Sequence, residues 1–311
     1  MAILCLSTVL PNFDQWIKNL HAIDPTFDLR TIDNPGDLAD ITTVLAWKPD
    51  DELFKKLPNL KFVQSTGMGI DHLVECPSIP KNALIARIID HDMREQMAEY
   101  ALYGALKAYR NIQYYNQYQT EAYWKMKRRL FKEDLTVGVL GLGELGAYVA
   151  NALKDYGFNV IGWKNSASKP HSDISYYHGQ DQLPEFLKQC DILVCLLPLT
   201  EDTRNILNKE TLALLPEGAY LINPARGGHV NEQDLLNAIQ SKHLSGALLD
   251  VFQTEPLPKE HPFWNEPTIE ITPHVAAMTN PITASQQVAE NFKLIRAGKL
   301  PNNLVDLNRG Y

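Results

Sequence analysis

The chain has 311 residues, 45% of them hydrophobic and 21% charged, which suits two globular domains and excludes disordered and fibrous classes. Its formal net charge of −8 argues against nucleic acid or an anionic membrane as the main partner, so an anionic ligand must be held by local positive charge. No apolar stretch approaches the ~20 residues of a membrane span. The run after Met1 lacks a basic flank and a small-residue cleavage site, so it reads as a first strand and not as a signal peptide.

In chain order, a first series of strands is predicted over 2–6, 27–32, 42–47, 60–65 and 83–89, separated by glycines, prolines and polar clusters. A long helix follows, with Asp92 as N-cap and Glu95 at its third position. Its apolar residues Met93, Met97, Tyr100, Ala101, Ala105 and Tyr109 recur at three- and four-residue steps. A second series of strands is predicted over 136–140, 159–163, 191–197, 219–223, 246–251 and 269–272, with a last helix over 281–297. This alternation predicts a parallel α/β fold. Segment 100–123 holds seven of the thirteen tyrosines, a composition that favours burial against a partner, and a homodimer through 100–124 is expected. Cys5, Cys76, Cys190 and Cys195 lie at unrelated spacings inside apolar segments, as reduced core thiols of a cytoplasmic protein would. The histidines show no metal-ligand spacing, and no metal is expected.

The strand over 136–140 runs into Gly141-Leu142-Gly143-Glu144-Leu145-Gly146, then a helix with Ala147, Val149, Ala150 and Leu153 on its inner side, stopped by Gly157. The first glycine permits a tight turn, the second lets backbone approach a pyrophosphate, and the third allows close helix–strand packing. The helix N-terminus attracts the phosphates. Strand, turn, helix and next strand stand in the register a dinucleotide fingerprint requires. The following strand ends in Trp163-Lys164-Asn165-Ser166, with Ser168 and Lys169 close behind and no acidic residue between Gly157 and Ser172. A ribose-binding carboxylate is thus replaced by a cationic, hydroxyl-rich loop suited to a 2′-phosphate, and NADPH is favoured over NADH.

Three further motifs follow in order: Asn223-Pro224-Ala225-Arg226-Gly227, the run from Asp250 through Glu255 to Pro258, and Thr272-Pro273-His274-Val275-Ala276. With the glycine turn, this set resembles the D-specific 2-hydroxyacid dehydrogenases, and within them the bacterial reductases of glyoxylate and hydroxypyruvate. The similarity extends over essentially the whole chain, including Trp47, the loop Gly67-Met68-Gly69-Ile70-Asp71 and the ending Arg309-Gly310-Tyr311. The resemblance implies two Rossmann/flavodoxin-like domains with parallel sheets. The cofactor domain, 98–280, would be inserted into a discontinuous substrate domain of 1–97 and 281–311.

Reduction of a 2-oxoacid needs a hydride from the cofactor, a proton for the emerging alkoxide, and a cation for the carboxylate. His274 is the candidate acid, since imidazole can give and take a proton near neutral pH. Glu255 would orient that ring and favour its protonated form. Arg226 offers a planar fork of donors to carboxylate and keto oxygen. The glycines at 67 and 69 would let the Met68 and Gly69 amides form an anion nest, a loop that relatives use for the substrate carboxylate. The resemblance further implies that Asp250 accepts from the nicotinamide carboxamide and that Leu197, Pro198, Pro224 and Ala225 line the cofactor. Trp47 either roofs a small pocket or is core. A dehydrogenase of larger 2-oxoacids or of phosphoglycerate, and a non-catalytic NAD(P)-sensing corepressor, remain as alternatives.

Overall fold

The computed structural model describes residues 1–7, 13–128, 130–167 and 174–305. The strands are β1 (Ala2–Ser7), β2 (Asp28–Thr31), β3 (Ile41–Trp47), β4 (Phe62–Ser65), β5 (Leu84–Ala86), β6 (Thr136–Leu140), β7 (Asn159–Lys164), β8 (Ser175–His178), β9 (Ile192–Cys195), β10 (Ala219–Asn223), β11 (Leu244–Leu249) and β12 (Ile269–Ile271). The α-helices are α1 (Asp14–Ile23), α2 (Asp51–Phe54), α3 (Asp71–Val74), α4 (His91–Tyr109), α5 (Ile112–Thr120), α6 (Glu144–Tyr156), α7 (Gly179–Leu187), α8 (Lys209–Leu212), α9 (Glu232–Gln240) and α10 (Pro281–Arg296). The chain divides into two compact units, Met1–Met93 with Met278–Tyr311, and Arg94–Ala277. Among the described residues no helix is long and apolar enough to cross a membrane.

The first unit is built on a parallel sheet ordered β2-β1-β3-β4-β5. Leu4, Leu6, Val44, Ala46, Val63 and Ile85 from successive strands share one core. Helix α10 is started by Asn280, whose side chain accepts from the Ile282 amide at 3.0 Å, with Pro281 in its first turn. Its Phe292 meets Phe62 and Phe27 edge to face, at 6.4 and 5.7 Å between ring centres. A buried polar bridge ties the C-terminal tail to the sheet. Asn291 Nδ2 donates to Gln64 Oε1 at 2.8 Å, and the Asn302 amide donates to Asn291 Oδ1 at 2.7 Å.

The second unit carries a parallel sheet ordered β12-β11-β10-β9-β6-β7-β8. Chain order reverses between β6 and β9, and the carboxyl ends of strands at such a reversal are where open α/β sheets bind ligands. Strand alternation sorts side chains to two cores. Leu221 and Ala247 go to one face, while Tyr220, Ile222 and Leu248 go to the other, with α4 and α6. Gly104 lets α4 lie close on the second face, because a Cβ there would stand 2.6 Å from Ile222 Cδ1.

The α/β class and parallel pairing agree with the sequence reading. Two local expectations need correction. Helix α4 begins at His91, so Asp92 lies in its first turn, not before it; a carboxylate there still faces the helix dipole favourably. Strand β8 was not predicted. It is a four-residue edge strand with no fully buried position, so it carries little of the apolar run that marks interior parallel strands.

Candidate active site

The three glycines after β6 divide their tasks as the fingerprint expects. Gly141 has φ +101°, and a Cβ on it would stand 2.7 Å from the Leu196 carbonyl oxygen. A Cβ on Gly146 would stand 1.7 Å from the Gly141 oxygen, so only glycine lets α6 start against the turn. Around Gly143 nothing lies within 4 Å of that position. The backbone there is open on one side at the N-terminus of a thirteen-residue helix, which Gly157 closes at φ +105°. This open approach is the observation that fits a dinucleotide pyrophosphate. Glu144 is engaged with Arg94 at 2.8 Å, and Leu145 packs on the α6 core, so the turn presents backbone and not side chains.

At the end of β7, Lys164 is half-buried, and loss of solvent pushes its amine pKa down, while Asn165 and Ser166 are exposed. Lys169 and Ser168 lie outside the described residues. Trp163, expected at the cofactor, is a core residue. Its ring is fully buried in the face that holds Ile161 and Phe186, and its indole N–H donates to the Gly179 carbonyl at 2.9 Å. Adjacent residues of a strand face opposite ways, so Lys164 and Trp163 cannot both point at one ligand. Leu197 is buried and Pro198 half-buried, the latter's carbonyl accepting from Thr203 Oγ1 at 2.7 Å. Pro224 and Ala225 are buried after β10.

Arg226 stands on the loop that leaves β10. Asn223 shapes that loop with both ends of its amide. Its Oδ1 accepts from the Ala225 N–H at 3.2 Å, and its Nδ2 donates to the Arg226 carbonyl at 3.0 Å. Arg226 is extended and half-buried, and its Nη1 donates to the Ala225 carbonyl at 2.7 Å. Gly227 then passes against Phe252, so the Arg226 loop and the segment that leaves β11 run side by side.

That segment opens with Asp250 and reaches Glu255, whose Oε1 accepts from the Phe252 N–H at 3.1 Å. Glu255 Oε2 lies 2.8 Å from His274 Nδ1, both side chains being partly exposed. His274 has φ +58°, a backbone conformation that side chains other than glycine adopt at a cost. Asp250 holds it there. Its carbonyl accepts from the His274 N–H at 2.8 Å, its Oδ1 from Thr272 Oγ1 and the Val275 N–H at 2.5 and 2.8 Å, and its Oδ2 from the Ala276 N–H at 2.9 Å. Asp250 thus ties down the loop that carries His274. The residue is almost wholly buried.

Trp47, Met68 and Gly69 belong to the first unit. Trp47 ends β3, and its ring lies on Gly67, where a Cβ would stand 2.3 Å from Trp47 Cζ3, and 4.5 Å from the centre of the His72 ring. Neither Gly67 nor Gly69 has a positive φ, and Gly67 is required by the indole beside it. Among the described residues the Met68 and Gly69 amides have no acceptor, which leaves both N–H groups for an anion.

The structure thus pairs Glu255 with His274 and brings Arg226's loop alongside. Sequence reasoning missed Asn223, Gly227 and Thr272 as parts of this site. Asn223 at a strand end two residues before a backbone N–H was a usable signal, since Asn side chains bond their own chain at that spacing.

Comparison with known proteins identifies the family. The profile of the NAD binding domain of D-isomer specific 2-hydroxyacid dehydrogenases matches residues 102–276. A glyoxylate/hydroxypyruvate reductase A of Serratia proteamaculans is 38% identical over 305 residues, covering 96% of this chain and 97% of that one. Among solved structures, a D-isomer specific 2-hydroxyacid dehydrogenase of Xanthobacter autotrophicus Py2, in complex with NADPH and MES, superposes with a TM-score of 0.93. It is 38% identical and covers 100% of this chain and 99% of its own. An NADPH-dependent glyoxylate/hydroxypyruvate reductase of Sinorhizobium meliloti, in complex with NADP and sulfate, gives a TM-score of 0.91 at 32% identity, over 100% and 99% of the two chains. On the profile match and on identity across nearly its full length, this chain belongs to the D-isomer specific 2-hydroxyacid dehydrogenase family of NAD(P)-dependent oxidoreductases.

Proposed function

We propose that this protein reduces small 2-oxoacids with NADPH, taking glyoxylate to glycolate and hydroxypyruvate to D-glycerate, with NADH a weaker donor. The observation that carries the proposal is the pair His274 Nδ1–Glu255 Oε2 at 2.8 Å on a loop end of the sheet that bears the glycine turn. The names of its relatives, and the NADPH and NADP held by two similar structures, support the substrate and the cofactor.

Backbone N–H groups of the turn Gly141–Gly146 and the start of α6 would hold the pyrophosphate of a reduced dinucleotide, and Lys164, Asn165, Ser166 and Lys169 would receive its 2′-phosphate. When bound, that cofactor would supply the hydride. Arg226 binds the substrate carboxylate and the keto oxygen through its fork of donors. Glu255 holds Nδ1 of His274, leaving Nε2 to give a proton to the oxygen that becomes the hydroxyl. We assign cofactor binding, and the chemistry of Arg226, Glu255 and His274, to the second unit.

A homodimer through the tyrosine-rich segment 100–124 is the expected assembly. Trp124 is fully exposed, and Met126 and Tyr123 are exposed beside it, a concentration of apolar surface that a partner copy would cover. A cytoplasmic setting suits four buried thiols that form no disulfide.

The test is a spectrophotometric panel of NADPH and NADH against glyoxylate, hydroxypyruvate and pyruvate. Oxidation of NADPH by the first two acids is expected. Because a carboxylate clamp leaves arginine unpaired around a neutral ligand, neutral aldehydes are expected to be poor substrates. Equal kcat/KM for glyoxylate and a neutral aldehyde would sink the assignment of Arg226.

A further inference from the structure

Tyr100, one of the recurring apolar positions of α4, packs against the core of the second unit. Its hydroxyl lies 2.7 Å from Thr272 Oγ1. Thr272 Oγ1 in turn lies 2.5 Å from Asp250 Oδ1, an oxygen that also accepts from the Val275 N–H. A hydroxyl carries one hydrogen, and an ionised carboxylate can only accept. Thr272 therefore donates to Asp250, and Tyr100 must donate to Thr272. The phenol is mostly buried, which pushes its pKa well above the usual range and keeps that hydrogen in place.

The direction of these bonds defines a relay from α4 to the loop after β12: Tyr100 to Thr272 to Asp250, with the Val275 and Ala276 N–H groups closing on the same carboxylate. His274 is bracketed by Thr272 and Val275, and its own N–H donates to the Asp250 carbonyl at 2.8 Å. The same helix also grips β12 further along, since Tyr103 donates to Glu270 Oε1 at 2.7 Å and Lys107 pairs with Glu270. Holding an imidazole at φ +58° while its ring meets Glu255 requires the flanking residues to be held from both sides, and the relay does this on the Thr272 side.

We propose that Tyr100, acting through Thr272 and Asp250, is a positioning residue for His274. This rests on the reading of His274 as the proton donor. The test is a double-mutant cycle between Tyr100→Phe and Thr272→Val, with kcat measured under saturating substrate and NADPH affinity measured separately by fluorescence titration. Each single variant is expected to lower kcat by about 3- to 10-fold, the range of one hydrogen bond, with NADPH affinity within about twofold of the parent. In the double variant the loss is expected to stay close to that of Thr272→Val alone, because the Tyr100 hydroxyl acts on the loop through Thr272 Oγ1. Tyr103→Phe, which removes a bond to Glu270 only, controls for loss of helix packing and is expected to leave kcat unchanged while moving the melting temperature as much as Tyr100→Phe does. Multiplying effects in the double variant, or an unchanged kcat in Tyr100→Phe, would overturn the proposal. If Thr272→Val does not fold, the same cycle is run with Thr272→Ser, which keeps the hydroxyl and is expected to keep both kcat and the effect of Tyr100→Phe; a kcat for Tyr100→Phe equal to the parent's then overturns it. His274→Ala separates the two levels. Full turnover in that variant removes the reading of the acid itself, whereas a dead His274→Ala beside independent Tyr100 and Thr272 effects removes only the relay.

Discussion

Gly227 and Phe252 leave no room for a methyl group between them: a Cβ on Gly227 would stand 1.9 Å from the Phe252 carbonyl carbon and 2.4 Å from the Gln253 nitrogen. Both neighbours are backbone, so nothing flexible can move aside. Gly227→Ala is expected to force the Arg226 loop away from the Phe252 segment, to destabilise the fold by about 1–3 kcal/mol, and to lower turnover. Gly143→Ala is its counterpart, since no atom lies within 4 Å of the added Cβ. There the melting temperature should hold while NADPH affinity falls. Denaturant melts and cofactor titrations of the two variants check the contrast, and a stable, fully active Gly227→Ala would contradict it.

His274→Ala removes the group paired with Glu255 at 2.8 Å and is expected to lower kcat by at least ~10²-fold with cofactor binding nearly intact. Arg226→Ala should weaken anionic substrates chiefly. Unchanged turnover in the first variant would take His274 out of the mechanism.

Lys164 ends β7 half-buried, where burial disfavours its charged form and a phosphate dianion would restore it. Lys164→Asp should therefore shift preference from NADPH toward NADH. The ratio of kcat/KM for the two donors reports this directly, and an equal ratio before and after refutes the 2′-phosphate assignment.

Burial pushes the Cys76 thiol up to about 11 and those of Cys5 and Cys195 up to about 12, with Cys190 raised as well. A raised thiol pKa means that the reactive thiolate is scarce below that value, so at pH 8 the folded protein is expected to react with a disulfide reagent only slowly. All four should react once denaturant unfolds the chain. Rapid labelling of the native protein at pH 8 would show that a thiol is reached without unfolding.

If a partner copy covers the apolar surface around Trp124, charge placed there should keep the copies apart. Trp124→Glu with Met126→Glu is expected to give a monomer in analytical ultracentrifugation where the parent sediments as a dimer. A parent chain that sediments as a monomer would end the dimer reading.

Much of the nucleotide half of the site was legible in the chain. Gly141, Gly143 and Gly146 each do what their spacing implied, because a turn, an open backbone and a close packing are local demands that only glycine meets. Trp163 was misread for the opposite reason. Its place next to Lys164 in sequence suggests one loop, but strand alternation sends the two side chains to opposite faces of β7. The alternation was present in the run Val160 to Lys164 and would have found the error. The bonds from Asp250 to the His274 loop were not readable, because they join a strand end to residues more than twenty positions away.

By itself the sequence determined the alternation of strands and helices, the parallel class, and which residue types stand at the strand ends, since these rest on periodicity and on the conformational limits of single residues. Tertiary structure decided which of those residues meet. Glu255 and His274 are 19 residues apart, and Tyr100 and Thr272 are 172 apart. Such pairs depend on sheet order, on the register of β10, β11 and β12, and on how closely Gly104 and Gly227 let backbones approach. Those are properties of packed elements and not of any local stretch, so no window along the chain contains them.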